Sequence, residues 1–250
     1  MLTDRQQHCL NGIGITAWQV RSPISTKTEI GEIVAEQFIQ PLDIEIPSTE
    51  EEIKPVEKIQ PQDFDLTGWP KMLGAIEACK MCELAKSCTR KVPGKGQQQA
   101  DLMIIGEAPG HDEDLQGIPF VGRAGHLLDK ILTAINLDPN KVYITNILKC
   151  RPPNNRDPHA DEVQACSQFL QAQINLIQPK VILSVGRISA QNLLKDHSPL
   201  GRLRDKEHVL PDTNLPLLVT YHPAYLLRNP AEKAKVWHDM KALLRLLNNE

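Results

Sequence analysis

The sequence predicts an α/β domain, a mostly parallel sheet covered by helices on both faces, preceded by a separate N-terminal extension. Four short apolar runs read as buried strands: Leu102–Ile105, Val142–Lys149, Val181–Val185 and Leu215–Thr220. Between them lie segments with apolar residues three and four apart, the helical period, as in Leu127, Leu128, Ile131, Leu132 and Ile135. Strands alternating with helices give a parallel sheet with covered faces. The third observation is a change of composition near residue 66, which sets the domain apart from what precedes it.

In chain order, residues 1–40 are weakly patterned. Thr26 is placed to cap a short helix over 27–39, with Ile30, Ile33, Val34 and Phe38 on one face. From Pro41 to Asp65, four prolines stand among acidic residues, a composition that buries too little apolar surface to order itself. The expected organisation is therefore a poorly ordered extension over 1–65 with a flexible acidic linker, then a domain over 66–250. Trp69-Pro70 opens a short helix leading to Cys79. Pro152 and Pro153 end the second strand, and a helix runs from Asp161 to Ile177. Gly186 stops the third strand, Ser189–Leu194 is helical, and Ala231–Leu247 is a closing amphipathic helix.

At 250 residues with 41% hydrophobic content, the chain holds one full-sized domain and an added segment. No apolar run reaches 18 residues, which excludes a membrane-spanning helix. The N-terminus has no charged-then-apolar signal pattern, so a cytoplasmic location is expected. The net charge of −3 is unevenly spread: residues 41–65 carry eight acids against Lys54 and Lys58, and residues 66–250 are at +4. A mildly basic domain permits phosphate contacts.

The stretch from Leu102 to Gly125 concentrates the chemistry. A strand that empties into a Gly-rich loop before a helix is where open α/β sheets place their ligands. Backbone N–H groups at such a helix start suit an anionic or carbonyl-bearing ligand. Glu107, Asp112, Glu113 and Asp114 crowd the same loop. They argue for a carboxylate that works on water or on a polar base edge, rather than for simple phosphate binding.

Six cysteines, at 9, 79, 82, 88, 150 and 166, accompany no secretory signal and read as ligands or spare thiols. Cys79 and Cys82 form a C-x-x-C pair. Four thiolates suit either tetrahedral zinc or a [4Fe–4S] cluster, and spacing alone does not separate the two. Cys88 stands close enough in sequence to compete as a ligand.

Four segments, GEAPGHDED (106–114), GIPFVGRAG (117–125), TNILKCRPP (145–153) and HPAYLLR (222–228), follow CKMC (79–82) in order. Together they resemble the family 4 uracil-DNA glycosylases, the iron–sulfur members of that superfamily, over about residues 72–248. The resemblance implies a three-layer α/β/α fold around a four-stranded parallel sheet. It implies a structural [4Fe–4S] cluster on Cys79, Cys82, Cys150 and Cys166, with Cys9 and Cys88 as extras. Uracil-containing DNA is the implied partner, and a monomer is expected.

The same resemblance assigns roles. Phe120 matches the aromatic on which a flipped uracil stacks, and Asn146 the amide that reads its edge, since an amide offers a donor beside an acceptor. His222 matches the donor to the uracil carbonyl oxygen, and Glu113 the acid that positions the attacking water. Glu107, Ala108 and Gly110 match the loop lining the pocket, where crowding near C5 excludes thymine. Ala108 stands where the family also has Gly. Leu226, Leu227 and Arg228 match a loop entering the DNA minor groove, and Arg123, Lys149, Arg151 and Arg156 are candidate phosphate contacts. A branch that becomes covalently trapped on DNA carries a KRRIH insertion after the second strand; here that place reads RPPNNRDPHADE, the turnover form.

The implied activity is a monofunctional glycosylase that starts base-excision repair. The alternatives are a non-catalytic iron–sulfur DNA-binding protein on the same fold and a zinc-stabilised hydrolase of another small substrate. Convergence of Glu113, Asn146 and His222 beside Phe120 would favour the enzyme over the first.

Overall fold

Alternation decides which way each strand faces. In a strand, successive side chains point to opposite sides, so Leu102 and Ile104 of β2 (Leu102–Gly106) enter one core while Met103 and Ile105 enter the other. The computed structural model describes residues 64–211 and 213–248. Val181, Leu183 and Val185 of β4 (Val181–Val185) share the first face, and Ile182 takes the second. Strands β3 (Tyr143–Asn146) and β6 (Pro216–Thr220) divide in the same way.

The sheet has six strands in the order β1 (Lys95–Gly96), β3, β2, β4, β6 and β5 (Glu207–Val209). Its centre, β3-β2-β4-β6, is the parallel four-stranded sheet the sequence predicts. Two short antiparallel edges enlarge it, β1 on β3 and β5 on β6. These two edge strands are additional to the four expected. Strands of two and three residues carry no apolar alternation that a sequence pattern could reveal.

One face is covered by α4 (Arg123–Ala134), α8 (Pro223–Arg228) and α9 (Lys233–Asn248). The other is covered by α5 (Ala160–Ile177), α6 (Arg187–Leu194) and α7 (Leu200–Leu203). This is the three-layer arrangement. Two more helices, α1 (Trp69–Ala78) and α2 (Leu84–Ser87), precede the sheet, and α1 packs Met72, Ala75 and Ile76 against Phe169 and Ala172 of α5.

Two expectations shift at their edges. The second strand ends at Asn146, and Ile147 and Leu148 instead donate backbone hydrogen bonds to the carbonyls of Gly106 and Glu107, at 3.0 and 3.1 Å. Phe64 and Asp65, assigned to the linker from composition, join the domain: Phe64 lies 5.4 Å from the Phe169 ring, and Asp65 pairs with Lys71. The expected helix over 27–39 lies outside the described residues.

Candidate active site

The carboxyl ends of the four parallel strands deliver the predicted residues to one place. Gly106 ends β2 and stands opposite Asn146 at the end of β3. Gly186 follows β4, and His222 follows β6. A side chain at Gly106 would collide with the Asn146 amide oxygen and press on the Phe120 ring. The missing Cβ is what lets both enter the same cleft. Gly186, at φ +98°, likewise makes room for His222.

The acidic loop is helical where the sequence suggested an open cradle. His111–Gln116 forms α3, with Asp112, Glu113 and Asp114 in its first turn, where acids favour the helix dipole. Glu113 Oε1 accepts hydrogen bonds from the backbone N–H groups of Val121 and Gly122, at 3.2 and 3.3 Å. The N–H groups before α4, read from sequence as a ligand cradle, are thus engaged by the chain's own carboxylate. The other oxygen, Oε2, faces Gly110, whose lack of a Cβ leaves it space.

Phe120 sits at φ +52°, a conformation costly for a bulky residue and characteristic of functional sites. Its ring centroid lies 5.6 Å from the His222 ring, and Lys95 Nζ donates to its carbonyl at 3.1 Å. His222 Nδ1 accepts from the backbone N–H of Ala224 at 3.1 Å. Burial, with the Arg228 charge adding to it, pulls the imidazole pKa down to about 4. A neutral ring that accepts at Nδ1 carries its proton on Nε2, so the remaining nitrogen is a donor.

Glu107, Ala108, Gly110, Glu113, Phe120, Asn146, His222 and Arg228 all line this cleft, which holds about 1150 Å³ counting space open to solvent. That is ample for a nucleobase. Burial pushes the Glu107 pKa up to about 7, with Asp157 adding to the rise and Arg187 opposing it. Asn155, Arg156, Asp157 and Tyr225 also line the cleft. None of these four was singled out as a pocket residue from sequence, because they reach it from loops and from α8 with no periodic signal. The glycines at 106 and 186 offered one: a Gly ending or following a central strand marks close approach by another group.

A family model for the uracil DNA glycosylase superfamily matches residues 93–241. The chain is 41% identical to a type-4 uracil-DNA glycosylase of Sulfurisphaera tokodaii over 183 residues, 70% of this chain and 83% of that protein. It is 41% identical to a type-4 uracil-DNA glycosylase of Archaeoglobus fulgidus over 174 residues, 67% of this chain and 87% of that protein. This chain belongs to the type-4 family of the uracil DNA glycosylase superfamily. A relative of the same name from Saccharolobus solfataricus shares 41% identity over 182 residues, 70% of this chain and 84% of that protein.

The four cysteines expected as ligands lie around a second hollow. Cys79, Cys82, Cys150 and Cys166 line one hollow of about 350 Å³, counting space open to solvent, whose other walls include Ile76, Leu84, Leu148 and Phe169. The backbone N–H of Lys149 donates to Cys166 Sγ at 3.3 Å. Among the described residues, no three His, Cys, Asp or Glu side chains are grouped to hold a single metal ion. Four thiols around an apolar hollow, with a backbone donor on one sulfur, are the donor set a Cys-ligated iron–sulfur cluster takes. Cys88 is not in the cavity wall, but its Sγ lies 3.2 Å from Cys150 Sγ. Cys9 lies outside the described residues.

The structure redistributes the expected DNA contacts. Leu226 is 0% exposed and packs in the core, so it has no surface to offer a groove; Leu227 is 37% exposed, and Arg228 is exposed as well. All three belong to helix α8 rather than to a loop. Lys149 is buried, where burial draws its pKa down to about 8, and makes no surface for phosphate. Arg156 is committed to Glu162 by two bonds of 2.6 and 2.9 Å. Arg151 lies 3.1 Å from His111 Nδ1 and bonds Asn155, and Arg123 stands exposed. No helix among the described residues is long and apolar enough to cross a membrane.

Proposed function

We propose that this chain is a monofunctional uracil-DNA glycosylase that hydrolyses the N-glycosidic bond of uracil in DNA, releasing free uracil and leaving an abasic site for base-excision repair. The convergence of Glu113, Phe120, Asn146 and His222 on one cleft carries the reading. A base stacked in a duplex is out of reach, so the nucleotide is flipped into the cleft. Phe120 stacks on it, and the Asn146 amide reads its edge. Glu107, Ala108 and Gly110 crowd the wall against a thymine methyl. As the bond breaks, its electron pair leaves with uracil, and negative charge spreads onto the carbonyl oxygens while the sugar becomes cationic. His222 Nε2–H donates to the oxygen on which that charge grows, a contribution of about 3–4 kcal/mol for one oriented donor. Glu113, held through Oε1, orients the water whose oxygen bonds to the anomeric carbon and whose proton ends on the uracil. Leu227 and Arg228 contact the DNA, and the chain acts as a monomer.

We further infer that Cys79, Cys82, Cys150 and Cys166 hold a [4Fe–4S] cluster. Such a cluster supplies cross-links here, fastening the segment around α1 and α2 to the loop after β3 and to α5. Release of uracil from a uracil-containing oligonucleotide tests the activity, and an unaltered strand with full retention of uracil would refute it. The purified protein should be brown with broad absorption near roughly 400 nm, as Cys-ligated clusters are. Cys79→Ala and Cys166→Ala should lose iron and stability while Cys9→Ala and Cys88→Ala keep both. Stoichiometric zinc without iron after anaerobic purification would overturn the assignment.

A further inference from the structure

Lys149 is the most deeply buried cation among the described residues, at 2% exposure. Arg204, also interior, meets the Asp239 carboxylate at 2.6 Å. Lys149 has no such partner. Its ammonium donates to Thr145 Oγ1 at 2.8 Å, Asn146 O at 2.7 Å and Gln173 Oε1 at 2.8 Å, all neutral oxygens, and among the described residues no carboxylate is in ion-pair contact with it. A buried charge without a counter-charge is strongly disfavoured. Negative charge can gather in the four-cysteine cavity, which Lys149 itself borders. Lys91 borders it too, but its ammonium lies at an exposed site on the Glu77 carbonyl, where water screens it.

The same ammonium reaches the strand from which Asn146 enters the base pocket. Its bonds to Thr145 and Asn146 fix the end of β3, the backbone from which the Asn146 side chain enters the cleft. The third acceptor is itself anchored, since Gln173 Nε2 donates to Pro93 O at 2.6 Å and lies 3.1 Å from Tyr143 Oη. We propose that Lys149 is the counter-ion of the thiolate-held group and, by the same ammonium, the positioning residue for Asn146, so that the cysteine site sets the geometry of base recognition. The inference rests on the reading of Asn146 and the cysteines given above. A cluster on four thiolates is net anionic. It holds the lysine charge in place, and the lysine holds the strand end.

The test compares wild type, Lys149→Met, Asn146→Ala and the double variant as full-length, iron-loaded proteins. Uracil release by wild type checks the underlying activity separately. Lys149→Met keeps most of the length of the side chain and removes the charge. Its iron per chain after dialysis against a chelator should fall below that of wild type, and single-turnover cleavage should drop roughly 10- to 100-fold, the scale of lost outer partners of a metal site. Adding Lys149→Met to Asn146→Ala should cost little further rate, because both act through one amide. If Lys149→Met fails to fold, Gln173→Leu, whose lost hydrogen bonds run to Thr145, Lys149, Pro93 and Tyr143, should keep its iron and show the same non-additivity with Asn146→Ala. Wild-type iron retention in Lys149→Met, or losses of rate that multiply in either double variant, would overturn the proposal.

Discussion

In the proposed mechanism His222 acts as a neutral donor, and its burial makes it hard to protonate. An ordinary histidine titrates near 6.5, whereas burial and Arg228 hold this one near 4. The ring therefore stays a neutral Nε2–H donor across the working range, and uracil release should show no fall near pH 6.5 from its titration. The same shift acts on stability. The unfolded chain takes up this proton first as pH falls, so the contribution is full above about 6.5 and is lost on the way down to about 4. His222→Ala should slow single-turnover cleavage roughly 10²–10³-fold and change DNA affinity far less, because phosphate contacts dominate binding. An equal loss of binding and rate would mean that it only holds its loop. Glu107 runs the other way. Its pKa is raised to about 7 from 4.5, so the fold favours its protonated form and loses stability as pH rises through that window. Glu107→Gln should remove that loss, read as a thermal midpoint that no longer falls between pH 5 and 8.

At the scale of elements, the site depends on backbones that approach closely. Helix α4 can start beside Phe120 only because Gly125 has no side chain; a Cβ there would run into the Phe120 carbonyl. Gly125→Ala should cost about 1–3 kcal/mol by overpacking and should displace Phe120, whose positive φ leaves it little freedom. Thermal unfolding measures the first effect and uracil release the second. A variant with lower stability but unchanged cleavage would show that the ring position does not depend on this contact. The loop after β6 is braced from behind by Arg204, which stacks 4.5 Å over Tyr221, while Thr220 and Arg204 both bond Asp239. His222 follows directly from that brace.

For the molecule as a whole, Phe64 packs on Phe169 two residues before the boundary that composition suggests. A chain starting at residue 64 should keep uracil release and thermal stability, since the acidic stretch before it repels DNA if it acts at all. A chain starting at residue 67 should be less stable, having lost the Phe64 contact and the Asp65–Lys71 pair. Equal melting of the two would show the contact to be without weight, and a folded but inactive shorter chain would place the removed residues in the site.

What the sequence determined by itself is whatever repeats along the chain or stands in a short motif. The four central strands and the long helices were legible because a buried face imposes periods of 2 and 3.6 on apolar residues such as Leu102–Ile105 and Leu127–Leu132. The family was legible because GEAPGHDED, TNILKCRPP and HPAYLLR keep their functional groups adjacent. Tertiary structure decided the rest, where the cause lies far off in sequence. Leu226 looked like a groove wedge until α8 turned it into the core, and Lys149 looked like a phosphate contact until Thr145, Asn146 and Gln173 closed around it. The two edge strands were too short to carry a pattern. The state of His222 came from the burial and the Ala224 N–H that surround it, which no motif spells out. Identity is local and survives in a string of letters; exposure, protonation and partnership are properties of the neighbours that folding brings.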